Sequence, residues 1–208
     1  MSKILALIDA LSEEEKKCLS ICEFKKDEII HYIDENCESI EILLNGEIIM
    51  SNLDIDGKEE TFNYFKAPSI FGNNLIFSSQ RKYLSNVISA TSSTICRISK
   101  NALLNILQSN ADFLNKYMNL IADKSLEINQ RLRIIAIQNT DKRLMSFLKL
   151  KFKENNGKYV INSITNFAKE LSLPRETTSR AIYKLARAQK FQYSNKVFKE
   201  IKNALDSI

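Results

Sequence analysis

The sequence predicts an α+β chain in three parts: a strand-rich N-terminal half, one long helix, and a C-terminal array of a strand, two helices and a hairpin. Three observations predict it. Between Phe24 and Ile98, short β-rich runs alternate with turn signals, and Gly46, Gly57 and Gly72 fall among them. From Asn110 to Ile137, a stretch free of Gly and Pro keeps its apolar residues at helical spacing. Finally, Ser172–Arg180 is a short turn and helix start between two apolar-periodic runs, Ile164–Leu171 and Thr177–Leu185.

The elements follow in order. Ser12-Glu13-Glu14-Glu15 reads as a capping box that opens a short helix reaching Cys22, with Cys18 and Cys22 on one face. Six strand-like runs follow: Glu28–Tyr32, Ser39–Leu44, Glu47–Asn52, Glu60–Phe65, Ser85–Ala90 and Thr94–Ile98. Asn45-Gly46 and Asp56-Gly57 are hairpin signals, because a tight two-residue turn needs positive φ. Short strands at this spacing suggest a sandwich or a barrel-like sheet. Ser99 caps a helix to Ser109. In the next helix, Leu114, Met118, Ile121, Ser125, Ile128, Leu132 and Ile135 form a nearly complete 4,3 seam. Phe113, Tyr117 and Leu120 make a second apolar edge able to cover the β region. One edge packing inward and one seam left over predict pairing with a second copy. Asn139-Thr140-Asp141 caps a further helix to Lys153, and Asn155-Asn156-Gly157 ends it. Lys158–Asn162 is strand-like, and Phe191–Ile201 reads as a hairpin turning at Ser194-Asn195-Lys196.

Charge is distributed unevenly. Residues 139–208 carry 15 Lys/Arg against 6 Asp/Glu, a net of +9, whereas residues 1–138 carry 15 against 19, a net of −4. A basic C-terminal third fits a nucleic-acid module. No apolar stretch reaches membrane-span length and no signal-peptide layout opens the chain, so a cytoplasmic protein without membrane attachment is expected. Cys18, Cys22, Cys37 and Cys96 contain no Cys-x-x-Cys pair and His31 is the sole histidine, so neither metal nor cofactor is expected and the cysteines read as buried free thiols. No nucleophile–base pair points to an enzyme.

The helix after the turn opens with Arg175, Glu176, Ser179 and Arg180. Arginine can donate a fork to guanine O6 and N7, and glutamate can accept from cytosine N4. Thr165, Lys169, Lys184 and Lys196 suit phosphate contacts, which position a protein without reading sequence.

This order of parts resembles the Crp/Fnr superfamily of bacterial transcription regulators. In the first half the resemblance rests on Ile40-Glu41-Ile42-Leu43-Leu44-Asn45-Gly46-Glu47-Ile48, on Asp56-Gly57-Lys58-Glu59 and on Ile70-Phe71-Gly72. In the last part it rests on Pro174-Arg175-Glu176-Thr177-Thr178-Ser179-Arg180. It implies an N-terminal antiparallel β-roll (jelly-roll-like) as a cyclic-nucleotide-binding-like sensor over 1–109. A dimerisation helix over 110–138 and a winged helix-turn-helix over 139–208 would follow. It also implies a homodimer on double-stranded DNA with a palindromic operator, and RNA polymerase as a candidate partner. Arg175, Glu176 and Arg180 match base-reading positions of the Crp branch; Glu176, Ser179 and Arg180 match those of the Fnr branch.

The chain departs from the cAMP-binding members. Asn73 stands where they carry a ribose-binding glutamate, Leu84 where they carry the phosphate-binding arginine, and Ser85 at the adjoining hydroxyl. A buried phosphate without its cation loses a charge-assisted contact, so cAMP is not the expected effector. Gly72, Asn73, Arg81, Lys82 and Ser85 remain the candidate ligand contacts, and the effector is open. A hinge around Gln138–Asp141 is the expected route from sensor to DNA. The alternative is a regulatory or protein-interaction module that keeps the β fold and lacks specific DNA binding.

Overall fold

The computed structural model describes residues 3–53 and 59–201. The chain divides into two compact units, Met1–Lys124 and Ser125–Ile208.

The first unit begins with helices α1 (Leu5–Asp9) and α2 (Glu13–Lys16) and continues with strands β1 (Leu19–Phe24), β2 (Ile29–His31), β3 (Ser39–Asn45) and β4 (Glu47–Leu53). Strands β5 (Glu59–Lys66), β6 (Ser69–Phe71), β7 (Asn86–Ser89) and β8 (Ser93–Ser99), helix α3 (Lys100–Ser109) and the long helix α4 (Ala111–Ile135) follow, with α4 belonging to the second unit from Ser125 on. The strands form two four-stranded antiparallel sheets in the orders β1-β8-β3-β6 and β2-β7-β4-β5. Ile40, Ile42, Ile48, Val87, Ile95 and Ile98 are fully buried in the core of this unit. Phe113, Tyr117 and Leu120 of α4 are buried in the same core, as their spacing predicted.

Two local readings of the sequence are corrected. The capping box is present, with Ser12 accepting from Glu15 N–H and the Glu15 carboxylate accepting from Ser12 N–H, but α2 ends at Lys16 rather than at Cys22. Leu19–Phe24 instead forms β1, because its backbone pairs along the whole of β8, from Leu19↔Ile98 to Phe24↔Ser93. Cys18 and Cys22 therefore share no helix face; Cys37 and Cys96 are buried, Cys22 is partly exposed and Cys18 is exposed. The Asn45-Gly46 turn makes no hairpin, since β3 pairs with β8 and β6 whereas β4 pairs with β5 and β7. Gly46, at φ +91°, carries the chain from one sheet to the other, and a Cβ there would stand 2.4 Å from Ser93 Oγ. β4 and β5 do pair antiparallel, but Asp54–Lys58 between them, with its Asp56-Gly57 signal, lies outside the described residues.

The second unit holds α5 (Thr140–Glu154), β9 (Lys158–Val160), α6 (Ile164–Glu170), α7 (Arg175–Arg187), β10 (Phe191–Ser194) and β11 (Val197–Glu200). Asn139 caps α5, accepting from Lys142 N–H at 3.0 Å. β10 and β11 form the expected hairpin, and Asn195 and Lys196 both have positive φ, which a two-residue turn of matching twist requires. β9 pairs with β11 as the third strand. Phe147, Phe152, Phe167, Phe191 and Phe198 fill the core, together with Ile134 from the end of α4. Truncating one such ring to alanine costs about 3–5 kcal/mol. Among the described residues, no helix is long and apolar enough to cross a membrane.

Candidate nucleic-acid interface

The backbone of the turn between α6 and α7 is shaped first by local bonds. Ser163 caps α6 by accepting from Asn166 N–H at 3.0 Å. At its other end, Leu173 N–H donates to Ala168 O and Ser172 N–H to Lys169 O, both at 3.0 Å. These are the paired bonds of a Schellman motif, with Ser172 at φ +51° in the left-handed position that glycine usually takes. Pro174 then starts α7, and the buried Thr178 hydroxyl donates back to Pro174 O at 3.0 Å.

A residue outside the turn fastens it. Arg143 of α5 donates from Nε to Ile137 O at 2.7 Å and from Nη1 to Leu171 O and Ser172 O, each at 3.2 Å. One guanidinium thus holds the carbonyl just past α4 and two carbonyls of the turn. Sequence reasoning missed Arg143, because its partners are backbone oxygens that carry no residue signature.

On α7, Thr178, Ala181, Ile182 and Leu185 face the core. Arg175, Glu176, Arg180, Tyr183, Lys184 and Arg187 are exposed and Ser179 is half-buried. Their spacing gathers them along the solvent face of the helix. No side chain caps α7, so the amide groups of its first turn stay open to an acceptor. Arg175 and Glu176 lie 3.5 Å apart as an exposed ion pair. Such a pair contributes little in water, which leaves each side chain available to another partner. Lys184 pairs with Asp141 at the start of α5. Thr165 and Lys169 are exposed on α6, and Lys196 is exposed at the hairpin turn. Ser179, Arg180 and Lys184 share a shallow concavity of about 700 Å³ with Tyr183, Arg187 and Ala188. Tyr183 and Arg187 were not singled out from sequence, although they continue the helical spacing of Arg180.

In the first unit, Gly72 is buried at φ +76°, and a Cβ there would lie 2.9 Å from Ser39 O, which excludes larger residues. Asn73 and Ser85 are half-buried and Lys82 is exposed. Arg81 faces Glu38 at 3.7 Å. Leu84 is 77% exposed. Its neighbour Tyr83 turns inward and stacks on His31, with ring centroids 4.2 Å apart.

His31 is bonded at both ring nitrogens, Nδ1 to Glu35 and Nε2 to Glu41, each at 2.8 Å. Glu41 is fully buried and also accepts from Arg97 Nε at 2.6 Å and from Ser39 Oγ at 3.3 Å. A carboxylate oxygen at each ring nitrogen favours the doubly protonated, cationic imidazole, in which both nitrogens donate. Burial alone would depress its pKa; the hydrogen bonds and charges of Glu41 and then Glu35 outweigh burial and hold it above the ordinary histidine value. Burial would raise the Glu35 pKa, but the Tyr32 amide and His31 lower it overall.

Along α4, Leu114, Met118, Ile128 and Leu132 are exposed, as are Ser125 and Leu126. Ile121 and Ile135 are half-buried, and Ile121 packs against the core of the first unit.

Residues 21–110 match the family described as the cyclic nucleotide-binding domain. Three solved structures are similar along nearly the whole chain. A CooA variant from Carboxydothermus hydrogenoformans gives a TM-score of 0.71 at 14% identity, covering 96% of this chain and 91% of that one. The c-di-GMP-responsive global regulator CLP from Xanthomonas campestris gives 0.65 at 14% identity, covering 94% and 98%. The catabolite activator protein from Thermus thermophilus gives 0.53 at 15% identity, covering 96% and 95%. The fold is that of Crp/Fnr transcriptional regulators. No curated protein sequence matches the chain. The Crp/Fnr fold was legible in the β-strand spacing, the uninterrupted long helix and the Arg175–Arg180 run.

Proposed function

We propose that the chain is a homodimeric, sequence-specific DNA-binding transcription regulator acting on a palindromic operator. A sensor over 1–109, a dimerisation helix over 110–138 and a winged helix-turn-helix over 139–208 divide the work. The observation that carries this reading is the solvent face of α7, with Arg175, Glu176, Ser179 and Arg180 on a helix whose entry is fixed by the Schellman turn and Arg143. Arg175 and Arg180 donate to guanine, Glu176 accepts from cytosine, and Ser179 bonds whichever base edge it meets. Thr165, Lys169 and Lys196 hold phosphates, and Lys184 does so on release from Asp141. The exposed α4 residues Leu114, Met118, Ile128 and Leu132 form the dimer seam with Ile121, Ser125 and Ile135. Two copies then set their α7 helices in successive major grooves roughly 34 Å apart.

The sensor does not use cAMP. The exposed Leu84 supplies no cation for a phosphate, and its neighbour Tyr83 is buried against His31. Gly72, Asn73, Arg81, Lys82 and Ser85 remain the contacts for another effector.

The test is enrichment of random duplexes by the full-length protein, followed by gel-shift titration of the enriched site against a scrambled control. The expected result is a palindrome bound at least tenfold more tightly, since each good base contact contributes about 1–3 kcal/mol. Equal, salt-sensitive binding to both would support a protein-interaction module with nonspecific DNA affinity. A thermal-shift titration with cAMP should leave the unfolding midpoint unchanged.

A further inference from the structure

The solvent face of α7 continues past Arg180. Tyr183 follows Ser179 and Arg180 by four and three residues and is 53% exposed. It lines the same shallow concavity as both. Its ring meets Tyr193 of β10 edge to face, with centroids 6.0 Å apart and planes at 76°. Tyr193 packs in turn on the fully buried Phe198 of β11, at 4.6 Å. An exposed aromatic ring ordinarily samples several rotamers; here the hairpin buttresses one of them. A rigid ring carries apolar surface with little conformational entropy left to lose.

Resting on the DNA-reading function proposed above, we infer that Tyr183 is a specificity-determining residue that packs its ring edge against the 5-methyl group of a thymine. The arginine and glutamate positions read hydrogen-bonding edges. The base-pair feature they leave unread is the thymine methyl, for which apolar contact is the matching chemistry. Tyr183 lies one helical turn beyond Arg180, so its contact falls at a different base pair from the Arg180 contact.

The experiment uses the full chain and the duplex it enriches from random sequence. Each thymine is replaced in turn by deoxyuridine, which removes the methyl and nothing else. In the wild type, one thymine per half-site should lose about fourfold in affinity on replacement, the worth of one buried methyl-sized group. Tyr183→Ala should bind the thymine and uracil duplexes equally, whereas Tyr183→Phe should keep the fourfold difference. A Tyr183→Ala protein that still distinguishes them overturns the assignment. So does a Tyr183→Phe protein weakened equally on all duplexes, because the hydroxyl would then be holding a phosphate. A wild type that enriches a palindrome but is indifferent to every methyl overturns the role of Tyr183 alone. One that enriches no sequence overturns the DNA-reading function beneath it.

Discussion

His31 and Glu41 meet at 2.8 Å across the gap between the two sheets of the first unit, His31 from β2 and Glu41 from β3. The contact is an ion pair inside a core, and its strength follows protonation. The His31 pKa is raised above its ordinary value of 6.5. Its stabilisation is therefore complete below about pH 6.5 and is lost as pH rises through the higher folded value. The Glu35 pKa is lowered from 4.5, so its contribution disappears only at pH below that, in a separate window. The difference in unfolding midpoint between wild type and His31→Gln should be largest near about pH 6 and shrink as pH is raised toward about 9. A difference that stays flat across that range would show that His31 is not charged in the fold.

Arg143→Met should loosen the entry to α7. The variant strands three carbonyls that one guanidinium now satisfies. Hydrogen bonds to a charged group contribute about 1.5–3 kcal/mol each when buried, and partial exposure keeps the combined loss near 2–3 kcal/mol. Urea unfolding followed by circular dichroism measures that loss, and gel shift should show weaker operator binding by a protein that still dimerises. Unchanged stability would mean that the turn holds itself.

Arg180→Ala should remove discrimination without disturbing the fold, because the side chain is exposed and Ala181 and Ile182 beside it carry the packing. The expected loss is about 10- to 100-fold on the enriched duplex, with nonspecific binding little changed. Competition gel shifts against scrambled DNA provide the measurement. A retained sequence preference would assign the reading elsewhere.

Ile128→Glu should abolish self-association. Ile128 is 52% exposed on α4, so a charge there burdens a partner and not the chain's own core. Light scattering should then report the 23.9 kDa monomer in place of twice that mass. Ile121→Lys is a poorer probe, because Ile121 also packs on the core of the first unit and the variant would test folding as well. A wild type already at 23.9 kDa would remove α4 as a seam.

The parts legible in the sequence were those governed by local rules. Asn139 and Ser99 were readable as caps, and Asn195-Lys196 as a turn, because each satisfies backbone groups within a few residues. β1 was misread as helix because the capping box at Ser12 is a true local signal, while the pairing of Leu19–Phe24 with Ser93–Ile98 joins residues 69 to 79 positions apart. The same reason hid Arg143, whose partners are carbonyls 28 and 29 residues on, and the His31–Glu41–Arg97 cluster, assembled from three strands. The exposed stripe of α7 was half legible: residues with hydrogen-bonding chemistry stood out, whereas Tyr183 needed the position of Tyr193 to acquire meaning.

The Schellman turn at Ser172 has a calorimetric consequence. Its bonds are already made in the free protein, so under the proposed function α7 would meet a duplex in its final backbone conformation. The heat-capacity change on binding should then follow from the surface buried between protein and DNA, without the added negative contribution of a segment that folds on contact.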